Sequence, residues 1–439
     1  MTTSSRNRVL VLNWRDLWHP EGGGSELYVN EVSRRLRAAG THVTVFSARY
    51  AGAPADETRE GIRYRRRGGH LTVYLWAALL LVFRRFGRLD AVLEVQNGMP
   101  FLARLFTRAR VVVLVHHVHR EQWSILRPTL ARFGWFMESK VAVRINQGTP
   151  YVAVSEVTRS ELVALGVRAQ DITIAWNGQA APPSFDPPGP ATSPRVVVLS
   201  RLVPHKRVEH ALEAVAALRE ELPGLHLHVM GSGWWSEHLV ARRSELGLDD
   251  VVTFLGHVTD LEKFQELSSA WVHVLPSVKE GWGLSIAEAA QMGVPSVAYA
   301  EAGGVRESIL DGVTGLLASD QDDLVDKLRV LLRDAALRAD LGTKARIRSG
   351  QFSWDTTADT IAARLGVAVA GQPGVGKPTR TSTTHTVAPA DASVGPSRRS
   401  SRWSKGPWTT TSPTLGSCRS GSEAASSPAE TTRKPDAEV

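Results

Sequence analysis

The chain has 439 residues, 43% hydrophobic and 22% charged, which fits two or three globular domains and excludes a wholly disordered, collagen-like or coiled-coil protein. A single cysteine, Cys418, excludes a disulfide scaffold and a cysteine-based metal cluster. The net charge of +8 is uneven: residues 1–180 carry 25 Lys+Arg against 14 Asp+Glu, residues 181–370 carry 18 against 25, and residues 371–439 carry 9 against 5. A basic half beside an acidic half suits two domains with different partners, the basic one facing nucleic acid, anionic lipid or a phosphorylated acceptor.

In chain order, residues 1–8 are polar and lead directly into an apolar strand at 9–12, so no signal-peptide apolar region is expected. Further β-branched runs fall at 43–46, 91–95, 111–115 and 151–154, with amphipathic stretches between them. After the proline-rich stretch 180–194 the alternation resumes with runs at 196–199, 225–230, 251–254, 271–275 and 294–298. Near-continuous apolar strands separated by helices predict parallel sheets covered on both faces, occurring twice. Six prolines in residues 180–194 read as a linker between the two. From 371 the chain turns to Ser, Thr, Pro and Arg without apolar periodicity, which predicts a disordered tail over 371–439. The longest apolar run, residues 71–83, is too short to span a bilayer.

Three strand-to-helix turns carry the chemistry. Pro20-Glu21-Gly22-Gly23-Gly24-Ser25-Glu26 follows the first strand, and its glycines let backbone N–H groups and a helix N-terminus approach an anion such as a diphosphate. The spacing departs from the dinucleotide G-x-G-x-x-G pattern. Ser200-Arg201-Leu202-Val203-Pro204-His205-Lys206 follows the first strand of the second half, and Arg201 and Lys206 can converge on a phosphate at the strand ends. The segment Glu280-Gly281-Trp282-Gly283-Leu284-Ser285-Ile286-Ala287-Glu288 places two carboxylates eight residues apart around two glycines and a helix start. At the end of the 111–115 strand stand His116, His117 and His119; no cysteine or carboxylate cluster completes a metal site there. Asp320-Gln321-Asp322, the one Asp-x-Asp string, precedes a helical run and reads as an acidic helix cap, so no metal is expected.

Residues 280–288 resemble the E-x7-E motif of retaining glycosyltransferases of family 4. Ser200-Arg201-Leu202 with Lys206, Trp176-Asn177-Gly178, Ala302-Gly303-Gly304-Val305-Arg306-Glu307 and Asp311-Gly312-Val313-Thr314-Gly315-Leu316-Leu317 resemble further segments of that family, with Trp176 standing where it has proline. The resemblance covers about 1–370. It implies an α/β chain of the GT-B fold, two Rossmann-like domains with parallel sheets facing across a cleft: an N-terminal acceptor-side domain over 1–180, a C-terminal nucleotide-sugar-binding domain over 181–352, and a closing helix at about 353–370 that returns to the first.

Carried onto this sequence, the resemblance implies that Arg201 and Lys206 neutralise the donor diphosphate. Glu288 would accept from ribose hydroxyls and Glu280 would contact the transferred sugar. Gly283 and Leu284 would touch sugar or phosphate through the backbone, while Gly23 and Gly24 close from the opposite domain. Val258, in Phe254-Leu255-Gly256-His257-Val258, would meet the base, and His116 would stand beside the reacting sugar as a catalytic residue together with Glu280, Arg201 and Lys206. The co-substrate is a UDP- or GDP-linked sugar, with no cofactor and no metal. Retention requires front-face attack or a covalent intermediate; with no first-domain carboxylate identifiable as a nucleophile, front-face substitution is expected, the leaving phosphate helping to deprotonate the acceptor.

The acceptor is expected to be a glycan or a lipid-linked molecule of the cell envelope. Residues 71–83, bracketed by Arg63, Arg65, Arg66 and Arg67 on one side and Arg84, Arg85 and Arg88 on the other, read either as a helix on an anionic membrane surface or as a core helix with a basic end. A cytoplasmic location is expected from the single cysteine and the polar N-terminus, and the membrane-surface reading of 71–83 would add a peripheral position on the inner face of the plasma membrane. The alternatives are another GT-B enzyme, such as a nucleotide-sugar epimerase, or a non-catalytic membrane or nucleic-acid binder. Against nucleic acid, the basic stretches lack interleaved aromatic platforms.

Overall fold

The β-branched runs and the amphipathic stretches between them condense into two sheets in the computed structural model, which describes residues 7–123 and 127–367. By its contacts the chain divides into units Met1–Pro378 and Thr379–Val439, and all described residues belong to the first. The tail expected from 371 lies outside the described residues.

The first sheet contains β1 (Arg8–Leu12), β2 (His42–Ser47), β3 (Asp56–Arg59), β4 (Ile62–Arg66), β5 (Ala91–Gln96), β6 (Arg110–Val115), β7 (Tyr151–Ala153) and β8 (Ile172–Ile174). Their order is β3-β4-β2-β1-β5-β6-β7-β8, parallel except for the β3/β4 pair. The helices of this half are α1 (Gly24–Ala38), α2 (Val73–Val82), α3 (Arg120–Trp123), α4 (Pro128–Phe136), α5 (Val143–Ile145) and α6 (Glu156–Leu165). The second sheet contains β9 (Arg195–Leu199), β10 (His226–Met230), β11 (Val252–Gly256), β12 (Val272–Leu275), β13 (Ser296–Tyr299) and β14 (Gly315–Ala318), all parallel in the order β11-β10-β9-β12-β13-β14. Its helices are α7 (Val208–Leu218), α8 (Ser236–Glu245), α9 (Asp260–Ser269), α10 (Leu284–Gln291), α11 (Val305–Ser308), α12 (Gln321–Arg333) and α13 (Ala335–Ser349); α14 (Trp354–Leu365) follows.

Each sheet is doubly wound, because strand order reverses between β1 and β5 and again between β9 and β12. Loops leaving neighbouring strands at such a reversal splay to opposite faces and open a crevice at the strands' carboxyl ends. In the first sheet Asn97 Nδ2, just past β5, donates to Asn13 Oδ1, just past β1, at 3.1 Å across that crevice. Both faces of the first sheet are covered. Tyr28, Val32 and Leu36 of α1 share one core with Trp354, Ile361 and Leu365 of α14, while Val73, Ala77 and Leu81 of α2 pack in another with Phe46 and Tyr151. Arg35 and Asp355 pair at 2.6 Å between α1 and α14. Asp320 caps α12 by accepting from Asp323 N at 2.9 Å.

Four strands escape the apolar reading. β3 and β4 form a polar hairpin, β8 is three residues long, and β14 begins inside the Asp311-to-Leu317 motif. The hairpin corrects the picture of arginines leading into a membrane helix. Ile62, Tyr64 and Arg66 of β4 point inward, and Arg66 is fully buried, donating to Asp16 Oδ2 at 2.5 Å and Glu57 Oε2 at 2.8 Å. Arg63, Arg65 and Arg67 all pair with Asp56. Arg84, Arg85 and Arg88 remain exposed beside α2, whose outer side shows Leu75, Trp76, Leu79 and Val82, with Leu71 and Phe83 at its ends. Among the described residues no helix is long and apolar enough to cross a membrane.

Removing one partner of a buried ion pair strands the other charge. Arg66→Ala is therefore expected to cost about 3–5 kcal/mol in denaturant unfolding, whereas half-exposed Arg63→Ala should stay within about 0.5 kcal/mol of the parent. Equal effects would contradict the buried network.

Candidate functional site

The second sheet's crevice is built from the turns after β9 and β12. Past β9 the chain makes a 3-10 turn over Pro204–Lys206, and Arg207, at φ 48°, reverses it into α7. Lys206 Nζ thereby reaches Glu280 Oε1 at 2.6 Å, both side chains largely buried. Burial disfavours the Glu280 carboxylate, but the charge and hydrogen bond of Lys206 outweigh it and hold Glu280 below the ordinary range. The backbone around Glu280 is clamped as well: Glu280 N donates to Ala302 O at 2.9 Å, and Gly304 N donates to Glu280 O at 3.0 Å. A Cβ on Gly304 would overlap the carbonyl of Gly281, so the glycine pair 303–304 is a steric requirement of this clamp.

Gly283, at φ 90°, caps α10 and lets Leu284 start the helix toward the cleft. Glu288, on α10, is largely withdrawn from solvent, which pushes its carboxyl up, while Lys263 Nζ at 2.7 Å opposes that shift. Lys263 also pairs with Asp260 at 2.8 Å and comes from α9, which begins just after Val258. Val258 is half-buried against the core that contains Met230, Phe264 and Ala289. Residues 254–256 thus end β11 rather than forming a loop, and Lys263 links Glu288 to the helix that follows Val258.

The first sheet faces these groups with its glycine turn. Gly23 N donates to Glu26 at 2.8 Å, and Glu26 is buried. Burial opposes its ionisation, yet Arg15, Ser25 and Arg201 together keep it below the ordinary value. A Cβ on Gly23 would lie 3.2 Å from Arg201 Nε, and one on Gly24 would lie 2.9 Å from Leu284 Cδ1. Arg201 also donates to Glu21 O at 3.4 Å. Gly23, Gly24, Arg201 and Leu284 therefore meet at one seam.

His116 stands at the end of β6 on that seam. Its ring packs edge-on against Tyr28 with centroids 5.1 Å apart, and burial pushes its pKa down to about 4, so the imidazole is neutral at neutral pH. Its Nε2 has no hydrogen-bond partner among the described residues. A Cβ on Gly281 would overlap the His116 carbonyl oxygen. His205, in the turn before Lys206, is likewise lowered to about 4 by burial and then by Lys206 and Arg201.

A second seam lies outside the expected set. Glu307 of α11 accepts from Glu156 N at 2.9 Å and Val157 N at 3.0 Å, the first turn of α6, and from Trp176 Nε1 at 3.2 Å. Lys279 pairs with Glu161 of the same helix. Trp176 thus has a donor where proline would have none. Asp311, by contrast, is structural: it accepts from Leu317 N at 2.8 Å and staples the turn into β14. Sequence reasoning singled out Arg201, Lys206, Glu280 and Glu288 but missed Arg15, Glu26, Lys263 and the partners of Glu307. Among the described residues no group of three or more His, Cys, Asp or Glu is arranged to hold a metal ion.

The chain is similar to known proteins over most of its length. Residues 184–348 match the model of the glycosyl transferases group 1, and residues 22–179 match that of glycosyltransferase family 4. The GDP-mannose-dependent alpha-(1-6)-phosphatidylinositol monomannoside mannosyltransferase of Mycobacterium tuberculosis is 30% identical over 394 residues, which cover 81% of this chain and 97% of that protein. The sucrose-phosphate synthase structure from Thermosynechococcus elongatus superposes with a TM-score of 0.70 at 21% identity, over 82% of this chain and 98% of that one. Anabaena HepE in complex with UDP and glucose superposes with a TM-score of 0.62 at 20% identity, over 82% and 99%. The fold is GT-B.

Proposed function

The chain belongs to the group 1 glycosyltransferases of family 4 and transfers sugar from a nucleotide-sugar donor; from that premise we propose a retaining, metal-independent reaction in which Arg201 and Lys206 receive the donor diphosphate. The observation that carries this reading is the Lys206–Glu280 pair on the turn that also carries Arg201, with Arg201 against Gly23 of the facing sheet's glycine turn. Two fixed cations at the strand ends stabilise the leaving phosphate's negative charge, the task a divalent ion performs elsewhere.

Lys206 exchanges part of its bond to Glu280 for phosphate, freeing Glu280 to accept from a hydroxyl of the transferred sugar. Glu288, held by Lys263, accepts from the ribose, and Val258 meets a UDP or GDP base through its backbone. Gly283 and Leu284 approach the phosphates at the start of α10, and Gly23 and Gly24 close over them. His116, neutral and with its Nε2 open, accepts from the reacting sugar. The sugar is substituted from its front face: the acceptor oxygen bonds to the anomeric carbon as the bond to phosphate breaks.

For the acceptor we propose a lipid-linked glycan or phospholipid at an anionic membrane. Support comes from the exposed apolar side of α2 with Arg84, Arg85 and Arg88 beside it. The phosphatidylinositol monomannoside named for the mycobacterial relative is an acceptor of that class.

Thermal unfolding with GDP, UDP and ADP tests the donor half. One nucleotide at a hundred times its Kd should add about 2.7 kcal/mol of stability, and Glu288→Gln should lose most of that gain, read against the variant's own unliganded midpoint. Nucleotides that leave the wild type unmoved, or a fully responsive variant, would contradict the assignment. Sedimentation with phosphatidylserine vesicles tests the membrane half: reversing Arg84, Arg85 and Arg88 to Glu should release the protein, and undiminished sedimentation would remove the membrane from the account.

A further inference from the structure

Of the three histidines after β6, the reading above uses one. His117 and His119 stack with ring centroids 4.2 Å apart, and the surroundings of His119 are built from distant parts of the chain. Glu138 Oε1 accepts from both the backbone N–H and the Nδ1 of His119, each at 3.1 Å, while Glu138 Oε2 accepts from Trp123 Nε1 at 2.6 Å. The Glu138 side chain is 1% exposed and that of His119 is 15% exposed. A carboxylate only accepts, so the ring hydrogen of neutral His119 sits on Nδ1, and the Nε2 lone pair is the ring's remaining acceptor.

The support around this pair is specific. Glu138 lies in a π-helical segment, Met137–Ala142, a rare geometry that shifts the helix register by one residue. The Trp123 ring lies between Gly98 and Gly134; a Cβ on Gly134 would overlap it, and one on Gly98 would come within 3.0 Å of it. The Gly98 loop belongs to the first sheet's crevice, where Asn97 bonds Asn13. A Cβ on Gly98 would also lie 3.7 Å from His119 Cγ, which places His119 beside that loop.

We propose that His119 Nε2 accepts a hydrogen bond from a hydroxyl of the acceptor, and that Glu138 is the positioning residue that fixes the tautomer and ring angle for that contact. This rests on the transferase reading above. It assigns the acceptor's polar recognition point to the residues just past β6, beside the Gly98 loop. The chemistry it recognises is a neutral hydroxyl-bearing group, such as a glycan or polyol head, and not a phosphate.

The test compares two reactions of the full chain with GDP-mannose and UDP-glucose as donors: hydrolysis by water, and transfer to phosphatidylinositol monomannoside in vesicles or to methyl α-mannoside. In His119→Gln, kcat/KM for transfer should fall about tenfold, as expected for one lost hydrogen bond, with donor hydrolysis and nucleotide-induced stabilisation unchanged. Glu138→Gln should show the same split. Transfer that survives in His119→Gln overturns the proposal, and so does a fall in hydrolysis as large as that in transfer. A wild type that neither binds nucleotide nor hydrolyses donor would instead contradict the transferase reading itself. One that hydrolyses donor but transfers to neither acceptor would overturn the hydroxyl assignment alone.

Discussion

No side chain fits between residue 281 and the first sheet, since a Cβ there would overlap the carbonyl oxygen of His116. This backbone-to-backbone approach sets the depth of the cleft. It brings the loop that ends in Glu280 up to the end of β6, and it lets Gly24 nestle against Leu284 and Gly23 against Arg201. Glu280 cannot retreat, because its own backbone is hydrogen-bonded on both sides to Ala302 and Gly304. The charged groups of the second sheet are therefore presented to the first one at fixed height.

Given that constraint, the electrostatics follow. Glu280 and Glu26 are buried carboxylates kept ionised by cations, Lys206 in one case and Arg15 with Arg201 in the other. Glu288 is withdrawn from solvent more than its single partner Lys263 offsets, and its carboxyl is pushed up. Three acids within one cleft thus differ in character according to what surrounds them. Around the rim, Glu307 binding the first turn of α6 and Lys279 pairing with Glu161 tie the two sheets together at a second point.

Much of the fold was legible because buried parallel strands are written as unbroken β-branched runs, as at Val111 to Val115. The β3/β4 hairpin was not, because its inward face carries Arg66, whose charge is neutralised by Asp16, 50 residues away. In the site, Arg201 with Lys206 and Glu280 with Glu288 stand out because turn and helix geometry place each pair within a few residues. Lys263 is 25 residues from Glu288, Glu138 is 19 from His119, and Glu307 is 150 from Val157. Such partners are chosen by tertiary packing, and single-residue chemistry does not announce them. The histidine run illustrates both sides: strand-end position marks His116, but only the π-helical placement of Glu138 distinguishes His119 from its neighbours.

The central claim is that the two sheets hold a nucleotide sugar between them, with protein cations on its diphosphate. A crystal structure of the protein with an intact, non-hydrolysable nucleotide sugar tests it most directly. The diphosphate is expected between Arg201 and Lys206, the ribose on Glu288, and the sugar between Glu280 and His116. A diphosphate bound elsewhere, with Lys206 still committed to Glu280 alone, would contradict it.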